Sequence, residues 1–272
     1  MFFEENSLKE LVFVGLGLND EKGISINGLE EAKTADNIFI ELYTSLLPDF
    51  SQKNLERLVG KKVEVLSRKD LEDENGKKLL DAANVGKAVF LIPGDPFIAT
   101  THITLRIDAQ KHGIHSRIIH GASIMSAIIG LSGLHNYKFG KTVTIPFIEN
   151  FSETPYNVIY QNKQLGLHTL CLLDLKADEN RYLTISEAVS ILATIEEKRN
   201  ANVAKPDNIA VGVARAGSNK PILKADYISE LQKFEFGKPP MSLIFPGELH
   251  FMEVEALIAL AGASSQFRSL TR

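Results

Sequence analysis

A chain of 272 residues, 44% apolar and 24% charged, can bury a substantial core, and its length favours two modest domains over one large one. Its formal charge of −4 comes from interleaved acids and bases, and with no basic stripe carrying aromatic residues, direct nucleic-acid binding is not expected. No apolar run approaches the roughly 20 residues that span a bilayer, and the start, MFFEENSLKE, is acidic where a secretory signal is basic. The single cysteine, Cys171, sits in an apolar run. It excludes an internal disulfide framework, fits a reducing, cytoplasmic setting, and reads as a buried small hydrophobe rather than a nucleophile. The seven histidines take no metal-ligand spacing, so no metal site is expected.

In chain order, Leu11 to Val14 form an apolar strand that runs into Gly15-Leu16-Gly17-Leu18. The glycines permit close backbone approach, but position 20 is Asp, so the dinucleotide fingerprint is incomplete and a Walker A loop is absent there. Ile26, Leu29, Ala32 and Ala35 recur at helical spacing behind Ser25 or Asn27 as the cap. A second strand covers Asn37 to Tyr43, a short helix starts at Ser51, and a third strand covers Val63 to Leu66. A charged, solvated helix is expected from Arg68 to Asn84. The wholly apolar run Ala88 to Ile92 reads as a strand buried on both faces. A helix over Ile103 to Ala109, a strand over His115 to Ile119 and a small-residue-rich helix over Ile124 to Leu131 complete a strand–helix alternation. That alternation predicts an α/β class with a parallel sheet.

The character changes near Gly140, which places an N-terminal α/β domain over 1–140 and a mixed α+β C-terminal domain over 141–272. The second half reads as strands at Thr142 to Ile145, Thr169 to Leu175, Asn208 to Ala214 and Ser242 to Phe245. Helices are expected around Tyr156 to Leu165, Ser186 to Lys198 and Glu248 to Leu260, with a hairpin-like segment at Pro221 to Lys224 and a short helix near Asp226 to Phe234. A cleft between two such domains is the default ligand site. Residues 1–8 and the tail beyond Ser264 read as frayed ends.

The stretch PGDPFIATTH, Pro93 to His102, changes character at once after the buried strand. Two prolines stiffen it, Gly94 lets it turn, Asp95 sets a carboxylate at the strand's end, and Thr100 or Thr101 can cap the next helix. In open α/β sheets ligands bind beyond the carboxyl ends of strands. The residues alone fit a ligand loop and, equally, an ordinary turn with a solvated Asp.

Six motifs together go further. GLGL (15–18), YTS (43–45), PGDPFIATTH (93–102), GLHTLCLLDLK (166–176), ARAGS (214–218) and PGELHFMEVEAL (246–257), in this order, resemble the diphthine synthase family. The resemblance runs from Leu11 to Ala263. It implies the tetrapyrrole-methylase fold, two α/β domains with S-adenosyl-L-methionine in the cleft between them, and typically a homodimer. It implies methylation of the amino group of a modified histidine on translation elongation factor 2, on the way to diphthamide, with three methyls or four. The short connection from Lys176 to Arg181 looks archaeal and Pro146-Phe147 eukaryotic, so both counts stay open. Carried over position by position, the cofactor contacts are Leu18, Asp95, Ile98, Ser123, Ile124, Leu173, Ala216 and Met241. Met241 stands where the family more often has His, a change that a main-chain contact would survive.

No triad or metal constellation is present, which suits methyl transfer to an amine: the donor is already activated, and alignment supplies much of the rate. No catalytic residue is assigned. Asp95 suits positioning better than proton removal, because an ordinary carboxylate titrates near 4. His102, His120 and His250 titrate in a better range, though packing or capping explains each equally well. Tyr43, Tyr137 and Tyr156 are candidates to face a quaternary ammonium. The rival readings are a porphyrin or corrin methyltransferase, disfavoured by Gly-Leu-Asn-Asp at 17–20; a nicotinamide-dependent oxidoreductase, disfavoured by the missing third glycine; and a cofactor-binding module without catalysis.

Overall fold

The computed structural model describes residues 9–270. These form two compact units that divide between Ile124 and Met125. The division falls at the first residue of a helix, some way before the change of character at Gly140. The reason is local: after that helix, the His135 N–H donates to Glu253 and Lys138 pairs with the same carboxylate, so the chain from 125 to 140 belongs to the second unit.

The first unit alternates β1 (Glu10–Gly15), α1 (Ile26–Thr34), β2 (Asn37–Glu41), α2 (Gln52–Val59), β3 (Glu64–Leu66), α3 (Lys77–Val85), β4 (Lys87–Ile92), α4 (Ile103–Lys111) and β5 (His115–Ile119). The strands pair in the order β3-β2-β4-β1-β5, all parallel. The predicted class holds. Leu11 to Val14 and Ala88 to Ile92 have no exposed surface, as strands covered on both faces require; each Val, Leu, Ile or Phe among them contributes about 1.5–3 kcal/mol by burial. Ser25 caps α1 and Ser51 caps α2, each accepting a backbone N–H three residues on, as their positions predict.

Two expectations fail. The helix from Arg68 to Asn84 is broken into a π-type turn, Lys69–Asp73, and α3, because Asn75 takes a left-handed φ of 53°. Neither Thr100 nor Thr101 caps α4: the Thr100 hydroxyl donates to the Pro96 carbonyl at 2.7 Å, and His102 precedes the helix without a side-chain cap bond.

The second unit contains α5 (Ile124–Ser132), β6 (Val143–Ile145), α6 (Thr154–Gln164), β7 (Thr169–Leu173), β8 (Leu175–Lys176), β9 (Arg181–Tyr182), α7 (Ile185–Arg199), β10 (Ile209–Ala214), β11 (Ile222–Tyr227), α8 (Ile228–Leu231), β12 (Met241–Phe245) and α9 (Phe251–Ala261). Its sheet runs β11-β10-β12-β7-β6, antiparallel except for β6 with β7. The sequence reading merges β7 with β8; Asp174 separates them, and β8 pairs back on β9 as a small hairpin. The segment 265–270 is a turn of 3₁₀ helix rather than a frayed end, with Phe267 fully buried and its ring 5.4 Å from that of Tyr227. The expectation for residues 1–8 lies outside the described residues. Cys171 is fully buried in the core, and burial pushes its thiol up, so it is inert.

One buried polar cluster joins the start of β7 to α9. His168 and Glu253 have no exposed surface. The His168 Nε2 lies 2.8 Å from Glu253, while its Nδ1 accepts the Gly247 N–H at 2.9 Å, which makes it a neutral imidazole donating to a carboxylate. Burial pushes the Glu253 carboxyl up, but Lys138, the His135 and His250 N–H groups and His168 together pull it down to about 2. Burial also lowers His168, against the pull of Glu253. Both groups bind fewer protons folded than unfolded as acid is added, so the stability they confer is whole above the ordinary histidine range and is lost as pH falls through their folded values. Glu253→Gln is therefore expected to cost about 3 kcal/mol at pH 7 and to flatten the dependence of stability on pH between about 5 and 2. Urea unfolding of both proteins at several pH values measures this, and equal pH slopes would contradict it.

Candidate cofactor and active site

At the carboxyl edge of the first sheet, three adjacent strands, β4, β1 and β5, end together. The loops that leave them carry Asp95 and Ile98, Leu18, and Ser123 with Ile124, so the sheet gathers five of the eight expected contact positions from separate stretches. The loops after β1 and β4 bind each other directly: the Gly94 N–H donates to the Gly17 carbonyl at 2.6 Å and the Gly17 N–H to the Gly94 carbonyl at 3.2 Å. Gly17 and Gly94 hold φ values of 73° and 74°, a region that glycine enters without steric cost. Beneath them Gly15, Gly94 and Gly121 meet backbone to backbone. A Cβ on Gly15 would lie 2.5 Å from both the Gly121 nitrogen and the Gly94 oxygen, closer than any side chain allows.

Asp95 is not solvated. It is 7% exposed, and its two oxygens have separate partners. Oδ1 accepts the Phe97 N–H at 3.2 Å, and Oδ2 lies 2.7 Å from His120 Nδ1. Both partners belong to the loops that converge there. Phe97 packs back against Phe13 of β1, ring centroids 5.1 Å apart, so the PGDP turn is anchored to the sheet on its apolar side.

The second unit gathers the remaining three positions in the same way. Leu173 ends β7, Met241 opens β12, and Ala216 follows β10, three neighbouring strands whose register pairs Ala214 with Met241 and Leu172 with Ser242. They share one end of the sheet. At its other end is a cavity of about 300 Å³ lined by Lys163, Asp207, Tyr227 and Glu248 among others, distinct from the expected contact set.

Backbone strain marks the same places. Among the described residues, six other than glycine have positive φ; four are asparagines, and the remaining two are Ala99 at 58° and Arg215 at 52°. Asparagine tolerates this region and alanine and arginine do not. Each of the two is adjacent to an expected contact, Ile98 or Ala216. Arg215 is held there by its own backbone N–H, which donates to the Pro240 carbonyl at 2.8 Å, and by its guanidinium, which donates to the Lys238 and Phe236 carbonyls at 2.6 and 3.1 Å. Strain of this kind persists where the surroundings over-determine it, commonly at ligand sites.

The three histidines separate cleanly. His102 is 1% exposed, and among the described residues neither ring nitrogen has a hydrogen-bond partner; it packs edge-on against Phe90, and burial lowers it to about 4. His250 caps α9, with Glu253 returning a bond to its N–H. His120 alone stands exposed, on the Asp95 carboxylate. The tyrosines also divide. Tyr156 is fully buried with its hydroxyl on Glu196 at 2.9 Å, and Tyr43 is buried beneath the Arg68 guanidinium, so neither offers a face to a ligand. Tyr137 is exposed, its ring stacked with that of His135.

The family model for tetrapyrrole (corrin/porphyrin) methylases matches residues 10–230. A diphthine synthase of Methanosarcina mazei is 47% identical over 258 residues, 92% of this chain and 96% of the relative. The chain belongs to the diphthine synthases. A second member, from Methanococcoides burtonii, is 48% identical over 260 residues, 93% of this chain and 96% of its own. The crystal structure of a diphthine synthase superposes with a TM-score of 0.88 at 42% identity, covering 96% of this chain and all of that one. The diphthine synthase fold thus accounts for both sheets, and the family makes the chain a methyltransferase. Within that fold the three-glycine contact is the local constraint with the sharpest consequence. Gly121→Ala is expected to force the loops after β1, β4 and β5 apart, at a cost of about 1–3 kcal/mol, and to weaken S-adenosyl-L-methionine binding at least tenfold. Calorimetric titration of the folded variant tests this; native affinity would show that the loops are not the site.

Proposed function

We propose that the chain uses S-adenosyl-L-methionine to methylate the amino group of the 3-amino-3-carboxypropyl-histidine intermediate on translation elongation factor 2, forming diphthine in diphthamide biosynthesis. The observation that carries this reading is the convergence of the family's contact positions on one edge of each sheet, beside the two strained residues. A homodimer in the cytoplasm belongs to the same reading.

The residues present fit the methyl donor. In the first unit Leu18, Ile98 and Ile124 offer apolar surface suited to an adenine ring, and Asp95 supplies a carboxylate suited to a cationic ligand; in the second, Leu173 and Met241 offer apolar surface of their own. The turned main chain at Gly17 and Gly94 lets a ligand come close without meeting a side chain, the atom nearest to a Cβ on Gly94 being a Leu18 methyl at 3.9 Å. When bound, the donor supplies an electrophilic methyl group on a positively charged sulfur. The chain must then hold the amine in line with it, exclude water and accept one proton for each methyl added. Met241 pairs through its backbone with Ala214, so its main chain is fixed whatever its side chain does, and the departure from His costs only a side-chain bond.

The test is incubation of the protein with methyl-labelled S-adenosyl-L-methionine and elongation factor 2 that carries the unmethylated intermediate. Label should appear on the factor, and the mass of the modified peptide counts the methyls. Cofactor binding without transfer would contradict the enzyme reading.

A further inference from the structure

His120 pairs with the Asp95 carboxylate and has no assigned role so far. The Asp95 carboxylate is nearly buried, the His120 side chain is 72% exposed, and they meet at 2.7 Å through Nδ1. An ionised carboxylate only accepts hydrogen bonds, so Nδ1 carries the proton. Among the described residues no hydrogen bond reaches Nε2, and the side chain as a whole is largely exposed. A carboxylate that fixes the tautomer and orientation of an imidazole is the arrangement by which a histidine is made a directed base. Its location is specific. His120 follows the last residue of β5 and precedes Gly121, which packs on Gly15 and Gly94, and Ser123 and Ile124 follow at once.

We propose that His120 Nε2 is the general base for the methyl-accepting amine, with Asp95 as the residue that positions it. This rests on the reading of the site as a methyltransferase site for a protein-borne amine. The amine arrives as an ammonium and cannot attack. Its N–H bond breaks, the electron pair stays on nitrogen, and the proton goes to His120 Nε2. That pair forms the new N–C bond while the C–S bond of the donor breaks, its electrons passing to sulfur and leaving a neutral thioether. His120 then releases its proton to water. The cycle repeats for each further methyl on nitrogen until no N–H remains. High exposure suits this role, because the acceptor is carried by another protein and the proton must escape between rounds.

Asp95 is the ion-pair partner of His120 among the described residues. On the flanking elements, Arg106 of α4 lies over the Phe97 ring, and the Asp20 carboxylate in the loop after β1 accepts the Lys22 N–H. Asp95 is nearly buried and holds both the Phe97 N–H and the His120 ring, which suits it to positioning that ring.

Two measurements test the proposal. In the free protein, nitrogen NMR of labelled histidine should show His120 in the Nδ1–H tautomer at alkaline pH; an Nε2–H tautomer overturns the assignment. The second measurement is turnover with elongation factor 2 as acceptor. His120→Ala should lower kcat at neutral pH by about 100-fold or more, with the deficit shrinking at alkaline pH and partly reversed by added imidazole. Calorimetric titration of the same variant with S-adenosyl-L-methionine separates any loss of donor affinity from the loss of turnover. A smaller fall in kcat, or one that imidazole does not reverse, or a loss confined to donor affinity, overturns the role of His120 while native turnover leaves the methyltransferase reading standing. Absence of transfer by the native protein overturns both.

Discussion

The close contact of three backbones, at Gly15, Gly94 and Gly121, is the constraint on which the candidate site depends. No side chain fits between them, so the ends of β4, β1 and β5 are drawn together and the loops leaving them are forced outward as a group. The reciprocal pair of hydrogen bonds between Gly17 and Gly94 locks two of those loops. Asp95 then ties the PGDP turn to the end of β5 through His120. Each link is short-range, yet together they bring residues 18, 95 and 123 to one edge although they are far apart in the chain. A parallel sheet makes this possible, because all its strands present their carboxyl ends on the same side.

The second unit solves the corresponding problem with an antiparallel sheet, where neighbouring strands alternate in direction. Its expected contacts therefore come from the end of β7, the start of β12 and the turn after β10. Arg215 is held in a left-handed conformation there by carbonyls of the segment before β12. At the opposite end His168, Glu253 and Lys138 join the start of β7 to α9.

Much of this was legible in the residues. Apolar runs such as Ala88 to Ile92 announce buried strands because periodicity is absent when both faces are covered, and serine caps at 25 and 51 mark helix starts because their oxygens satisfy specific N–H groups. The break at Asn75 was not, since a single left-handed residue inside a charged helical pattern leaves the pattern intact. Nor could the threonines at 100 and 101 be resolved, because a hydroxyl near a helix start has local carbonyls as competing partners. Within the candidate site, the glycines pointed to a close approach, which Gly15, Gly94 and Gly121 make. The carboxylate of Asp95 looked free because its partner lies 25 positions away, beyond any local pattern. Three histidines looked equivalent for the same reason: the burial of His102, the capping role of His250 and the exposure of His120 are set by tertiary packing.

If the account is right, the glycine-locked loops are where the methyl donor is held. A crystal structure of the protein with S-adenosylhomocysteine bound tests that most directly. The product should lie against the main chain of the loops that carry Leu18, Asp95, Ile98, Ser123 and Ile124. Product bound instead in the cavity beside Lys163 and Glu248, with those loops untouched, would contradict the account.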